Sequence, residues 1–374
     1  MLMENRRPAG SGSSSASTLY DVAREAGVST ATVSRVVHGQ DRVRASTRQR
    51  VLDVIEALGY VPDSAAQSMA RQRKEVIGLA AVESRGPDTD VEQEGLLFIE
   101  EVLRGVESPL AGIGWPVLIC VLRDADPADA WRRLLKISAQ VDGLLILEGI
   151  LGPEQIARLA ARIPVTLVAG SRDELHADVV CTDNRAGTKA LVCHVIEQHG
   201  RTRLFYVGGP PEAPDARDRR SAFDETIAEH PGVTRAGTFQ GRFAAISGQL
   251  AVREILAAPR RELPDAIICA NDQMAIGALR AFAAAGVRVP DEVALVGFDD
   301  IYPARLVDPP LTTVRQPMRM LGERACARLL DRIANPALSP AVELLPTELV
   351  LRTSCGCPPG PVTRRAVSAS PLPR

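Results

Sequence analysis

Two groups of side chains in this sequence have the types and spacing to do chemistry. The first is Thr30, Ala31, Ser34, Arg35 and His38 in VSTATVSRVVHG, which share one face when read at 3.6 residues per turn. Small side chains there would let a helix sink into the major groove of duplex DNA, and the planar fork of Arg35 matches guanine O6 and N7. The second group follows a series of apolar runs: Arg219 in ARDRRSAF, Phe243 in GRFAAISG, Asn271 and Asp272 in ANDQM, and Asp299 and Asp300 in GFDD. Donors, acceptors and one aromatic face suit a polyol or sugar.

The first group needs a rigid small scaffold, and the flanking residues supply one. A helix is expected from about Leu19 to Ala26, with Thr18 as its cap and Asp21 in its first turn. Gly27 ends it, Val28 anchors the turn and Ser29 caps the second helix. Ala23, Ala26, Val28, Val33 and Val36 form the seam between the two helices. Ser46 and Gln49 read as a capping box for a third helix, whose Val51, Ile55 and Leu58 make an apolar stripe before Gly59. The result is an all-α helix-turn-helix unit over residues 18–61. A helical hairpin with no DNA role is the plainer alternative.

The second group needs strands that end at one edge. From Val76 the chain alternates apolar runs with helical stretches: VIGLAAV, a helix near Leu97 to Leu110, WPVLICV, a helix Ala128 to Ala139, GLLIL, a helix Glu154 to Arg162, and PVTLVA. A second set runs RLFYVG, a helix near Asp215 to Glu229, AGTFQG, a helix near Ala244 to Leu256, AIICA, a helix Asp272 to Ala285, and VALVGF. This pattern predicts two doubly wound parallel-sheet halves, with ligands binding beyond the carboxyl ends of the strands in the cleft between them. Asn271 and Asp272 also sit where helix caps belong, and Phe243 could be ordinary core. RQPMRMLGERACARLLDRI predicts a late amphipathic helix with Met320, Leu321, Ala325, Leu329 and Leu330 inward, followed by returning strands in ELLPTELVLRTS.

Composition narrows the classes. The chain has 374 residues, 45% of them apolar, enough for two or three domains. Residues 1–74 carry 11 Lys and Arg against 7 Asp and Glu, whereas the whole chain is at −2, so a basic end adjoins an acidic body. The seven cysteines are scattered and odd in number, which predicts reduced thiols in a cytoplasmic protein. Cys355 and Cys357 form a lone C-x-C with no histidine nearby in sequence. No metal site is expected there, and exposed tail thiols are. No apolar run is long enough to span a bilayer, and MLMENRRPAGSGSSSAS has no signal-peptide core. No phosphate-binding loop, Rossmann fingerprint, nucleophile elbow or H-E-x-x-H occurs, and the five histidines stand apart. These absences argue against an enzyme and against a required cofactor. A free-standing sugar-binding module remains as a rival, although it leaves residues 18–61 unexplained.

LYDVAREAGVSTATVSRVVHG, TRQRVLDVIEALGYVPDSAAQSMA and GFDDIYPARLVDPPLTTVRQP resemble the lactose-repressor (LacI/GalR) family of transcriptional regulators, in the expected order from Leu19 to about Cys355. The resemblance implies a repressor that binds a pseudo-palindromic operator as a homodimer through Tyr20, Ser29, Thr30, Ala31, Ser34, Arg35 and His38. It implies a hinge helix within residues 62–75 whose Met69, where leucine is usual, wedges into the minor groove; a dimer contact is the other reading of Met69. It also implies a periplasmic-binding-protein-like core over 76–355. The first half of that core would be about 76–198 with 317–341, and the second about 199–316 with 342–355. A small metabolite, most simply a sugar, would be held by Phe98, Arg219, Phe243, Asn271 and Asp299. Residues 1–17 and 356–374 are expected to be disordered. Two stretches depart from the family pattern: ESRGPDTDVEQEG, with Asp88, Asp90, Glu92 and Glu94, and Ala169–Gly170 at a strand end that usually supplies an acidic group.

Overall fold

The structure, a computed structural model, describes residues 17–37, 43–60, 73–83, 96–123, 127–147, 149–173, 176–360 and 363–367, in two units, Met1–Lys74 and Glu75–Arg374. His38, Met69, most of the hinge segment, the acidic run from Asp88 to Glu94 and nearly all of the amino-terminal arm lie outside the described residues.

Among the described residues the first unit holds three helices, α1 (Leu19–Glu25), α2 (Thr30–Val37) and α3 (Ala45–Leu58). Thr18 and Asp21 form a reciprocal capping box at the start of α1. Gly27 takes the left-handed conformation (φ 62°) that turns the chain into α2, where the Ser29 hydroxyl accepts from Thr32 N at 3.2 Å. The core is small: Val22, Ala23, Ala26, Val33, Val36 and Val51, flanked by Val28, Ile55 and Leu58. The expected capping box on α3 does not form. The helix begins two residues earlier, with Arg44 rather than Ser46 at the N-cap, so Ser46 already lies inside the first turn and Gln49 instead donates to Asp53 at 2.8 Å.

The second unit contains two parallel sheets. One has six strands, β1 (Ile77–Glu83), β2 (Val117–Arg123), β3 (Gly143–Leu147), β4 (Val165–Val168), β5 (Asp178–Thr182) and β11 (Val342–Leu345), in the order β11-β5-β4-β3-β1-β2. The other has four, β6 (Arg203–Gly208), β7 (Thr234–Gln240), β8 (Ala266–Cys269) and β9 (Ala294–Val296), in the order β7-β6-β8-β9. Strands such as Val165–Val168 and Ala266–Cys269 are buried at every position, as sheets covered on both faces require. Among the described residues eight helices cover them: α4 (Leu96–Ala111), α5 (Pro127–Ser138), α6 (Pro153–Ala160), α7 (Asn184–Cys193), α8 (Pro214–Glu229), α9 (Ala245–Ile255), α10 (Asp272–Ala284) and α11 (Met318–Ala334). A third, antiparallel sheet joins β10 (Thr313–Arg315), β12 (Glu348–Leu351) and β13 (Thr363–Ala366).

The halves divide differently from the sequence expectation. The first crossing follows Thr182, since α7 packs on α8, with Arg185 paired to Glu225 and Lys189 to Glu229, so residues 184–198 belong to the second half. The second crossing follows Arg315. The third follows Leu345, because Val342–Leu345 is the edge strand of the first sheet rather than part of the second half. Strand β5 and helix α7 lacked a sequence signal strong enough to be marked. On α11 the buried positions are Met318, Leu321, Gly322, Ala325, Cys326, Leu329 and Ile333, while Met320 points to solvent. Within the tail expected to be disordered, Thr363–Ala366 forms a strand that pairs with β12. All four of its residues are exposed, so backbone bonds hold it and no apolar alternation announced it.

Candidate functional site

On α2, Val33 and Val36 face the core, which leaves the opposite face outward. Ser29, Ala31 and Arg35 are exposed, Thr30 and Ser34 are half-buried, and Tyr20 on α1 is 74% exposed. Six of the seven residues within 18–61 expected to face DNA therefore line its accessible side, and His38 is outside the described residues. The packing is what sets this orientation: a seam of alanines and valines leaves no room for larger side chains between the helices, so polar groups must face out.

In the second unit a cavity of about 250 Å3, at the size of a small metabolite, opens between the two halves. Phe98, Arg219, Phe243, Asn271 and Asp299, the five residues expected to contact an effector, all line it. Arg219 is nearly buried and fixed on several sides. Its Nε donates to Asn184 Oδ1 at 2.8 Å, and its Nη1 donates to Ala270 O at 2.5 Å and to Asp299 Oδ1 at 3.4 Å. Nη2 faces Asp215 at 3.6 Å, and the guanidinium carbon lies 3.8 Å from the Phe298 ring centre. Holding the fork this way costs little ordering when a ligand arrives.

The aromatic wall needs an unusual backbone. Phe243 sits at φ 63°, and a side chain on Gly209 would come within 2.3 Å of its ring, so the glycine makes room for the phenyl group. Asp299 (φ 120°) and Asp300 (φ 55°) are also left-handed, and this splits two adjacent carboxylates. Asp299 turns to the cavity, whereas Asp300 takes Arg315 and Arg352 in the interior. Burial pushes the Asp299 carboxyl up to about 7, opposed by Arg219 and reinforced by Asp215. Asp215 is also raised by burial, again with Arg219 opposing.

Asn271 caps a helix and also lines the cavity. Its Oδ1 caps α10 by accepting from Met274 N at 3.0 Å, and its Nδ2 donates to Phe243 O at 2.9 Å while the residue lines the cavity. Asp272 does not reach the cavity. It is buried, and accepts from Thr313 Oγ1 at 2.5 Å and Ile301 N at 3.0 Å.

Several lining residues were not anticipated: Asp215, Arg242, Gln273 and above all Gln316. Gln316 lies in the second crossing, donates to Asp299 Oδ1 at 2.6 Å and accepts from Thr182 Oγ1, in the first crossing, at 3.1 Å. Asp183 N, beside it, donates to Leu345 O, in the third, at 2.9 Å. The floor of the cavity is thus the hinge itself. Sequence held two signals for these residues: Asp215 is four positions before Arg219 on one helix face, and Gln316 directly follows a strand.

Cys355 is fully buried and Cys357 half-buried, and both sulfurs lie beside the rings of His194 and His199. The expectation of exposed tail thiols without a neighbouring histidine therefore fails, because the fold returns the end of the chain to a helix some 160 residues earlier.

Residues 18–63 match the family model "Bacterial regulatory proteins, lacI family", and residues 193–355 match "Periplasmic binding protein-like domain". The chain is 30% identical over 343 residues to the HTH-type transcriptional repressor PurR of Photobacterium profundum, covering 90% of this chain and 98% of that protein. It is 30% identical over 342 residues to the repressor CytR of Escherichia coli (strain K12), covering 91% and 96%. The lac repressor dimer bound to operator and the anti-inducer ONPF superposes with a TM-score of 0.79 at 28% identity, covering 91% of this chain and 99% of that one. No described helix is long and apolar enough to cross a membrane. Similar to these repressors along nearly their whole length, the chain belongs to the LacI family of bacterial regulatory proteins and is a DNA-binding transcriptional repressor, not an enzyme.

Proposed function

We propose that this repressor works in the cytoplasm as a homodimer on a pseudo-palindromic operator, and that a sugar or sugar derivative in the cavity sets its operator affinity. The observation that carries the reading is the convergence of Arg219, Asp299, Asn271 and two phenylalanines on one cavity floored by Gln316. Fixed donors and acceptors can take ring hydroxyls while Phe98 or Phe243 covers an apolar sugar face. Among solved relatives, the regulator CelR, with a TM-score of 0.64 and 29% identity, is recorded in complex with cellobiose.

Control follows from linkage. A ligand that touches both halves and Gln316 favours one angle between them, and operator affinity changes by the ratio of its affinities for the two arrangements. Paired hinge segments carrying Met69 would transmit that angle to the DNA. Arg35, with Thr30 and Ala31, chooses bases, and phosphate contacts supply the salt-dependent affinity.

A thermal-shift screen of the full chain against sugars, sugar phosphates, nucleosides and amino acids tests the ligand class, since a ligand selective for the folded state raises the melting temperature. The expected result is a sugar hit that also changes operator retention in a gel shift. Hits confined to nucleosides or basic compounds overturn the sugar assignment, and a sugar hit without any operator effect overturns the control.

A further inference from the structure

Away from the cavity, four side chains from two distant segments converge in the second half of the core. His194 Nε2, His199 Nε2, Cys355 Sγ and Cys357 Sγ all lie within 4.8 Å of one another. The nitrogens are 3.2 Å apart, and the nitrogen–sulfur separations are 3.6 Å (His194–Cys355), 3.5 Å (His194–Cys357) and 3.5 Å (His199–Cys357). Zinc held tetrahedrally at its usual bond lengths requires edges of about 3.3 Å between two imidazole nitrogens and about 3.6 Å between nitrogen and sulfur. Four of the six edges already match that tetrahedron, and the other two are no longer than 4.8 Å.

The local backbone is shaped to bring them there. Two residues five apart on an α-helix point about 140° away from each other. Here α7 widens into a π-helical turn at His194–Gln198, whose i to i+5 bonding brings positions 194 and 199 toward one side. On the other segment, Cys355 ends a 3-10 turn and Gly356 reverses the chain at φ 109°, so that Cys357 returns to the same spot. A side chain on Gly356 would sit 3.1 Å from His199 Nδ1. The Thr312 hydroxyl lies 3.1 Å from Cys355 Sγ and can donate to a thiolate there.

We infer that His194, His199, Cys355 and Cys357 form a structural binding site for a zinc-class divalent cation. Four protein ligands close the coordination sphere, the composition of a structural rather than a catalytic centre. Two thiols lose their protons as the cation binds, so two thiolates and one divalent ion make a neutral centre suited to burial. The bound ion would pin the chain after β12 to the helix that opens the second half. A neighbouring group of Cys193, Glu197 and His230 is more open to solvent, and His230 Nε2 already meets Glu197 at 3.3 Å.

The test uses the full chain, purified under reducing conditions, stripped with a chelator and reloaded with zinc or cobalt(II). One equivalent of zinc per chain should restore the melting temperature lost on stripping. Cobalt(II) should give thiolate-to-metal charge transfer and the intense visible bands of a four-coordinate site. Cys357→Ser and His199→Gln should each remove or reshape that spectrum, whereas Cys193→Ser should leave it unchanged. Failure of the stripped, reduced wild-type chain to take up either ion stoichiometrically overturns the site. So does a six-coordinate cobalt spectrum without charge transfer, or a signal lost in Cys193→Ser and kept in Cys357→Ser.

Discussion

The outward face of α2 and the wall of the cavity both present polar side chains for recognition, but in opposite states. Arg35 is exposed and, among the described residues, makes no ion pair, so its fork is available to a partner without breaking anything. Arg219 is buried and already bound to Asn184, Ala270 and Asp299. The first arrangement suits a partner whose own charge draws it in and whose sequence must be sampled quickly. The second suits a small ligand that has to find its groups already aimed. A further consequence is that the cavity residues hold up the fold, whereas the helix face can change with little effect on folding.

The sharpest way to break this comparison is Arg219→Ala. It leaves Asp299 buried without its cation, and should destabilise the core by about 3 to 5 kcal/mol as well as abolish the ligand-induced thermal shift. Chemical denaturation reads the first effect, and Arg219→Lys, which keeps a charge but loses the donor to Asn184, separates the second from loss of folding. Unchanged stability in Arg219→Ala would show that the cavity is as uncommitted as the helix face. Arg35→Ala should weaken specific operator binding by about 1 to 3 kcal/mol and relax preference at one base step, with no shift in the melting of the core. A uniform loss over all DNA sequences would reassign Arg35 to phosphate.

Two smaller effects sharpen the contrast. Thr18→Ala removes half of the capping box on α1 and should cost the first unit about 1 kcal/mol, measurable by circular dichroism. Asp299→Asn tests the elevated carboxyl. Because its folded value of about 7 lies above the ordinary 3.8, Asp299 contributes stability that is full at low pH and lost as pH rises through about 7. The stability difference between variant and wild type should therefore move in the variant's favour as pH rises across that window. A flat difference would mean that Asp299 stays ionised throughout.

Legibility in the sequence followed how local each determinant is. The three-helix unit could be read because caps, the turn glycine and the apolar seam lie within about one helical repeat of one another. The alternation of strands and helices and the residues after each strand were readable for the same reason, and they led to Arg219, Phe243, Asn271 and Asp299 in the cavity wall, whereas Phe98 came only from the family resemblance. Helix α7 was missed because NRAGTKALVC buries small and polar residues such as Asn184, Gly187 and Thr188. The His–Cys cluster was missed because its halves are separated by about 160 residues and joined by a π turn, for which helical periodicity has no signature. Ser46 and Gln49 matched a capping pattern by spacing alone, and a two-residue shift in the helix start voided it.

The three crossings bear on how the chain matures as it is synthesised. Helix α11 and strand β11 complete the first sheet, yet they come after the whole second sheet in the chain. The earliest strands of the core must wait, with one edge uncovered, until residue 345 has left the ribosome. Such delayed pairing gives a high contact order and slow, late closure. Premature termination before that point would leave an exposed parallel edge rather than a smaller folded protein, so quality control in the cell would meet this repressor as an all-or-none product.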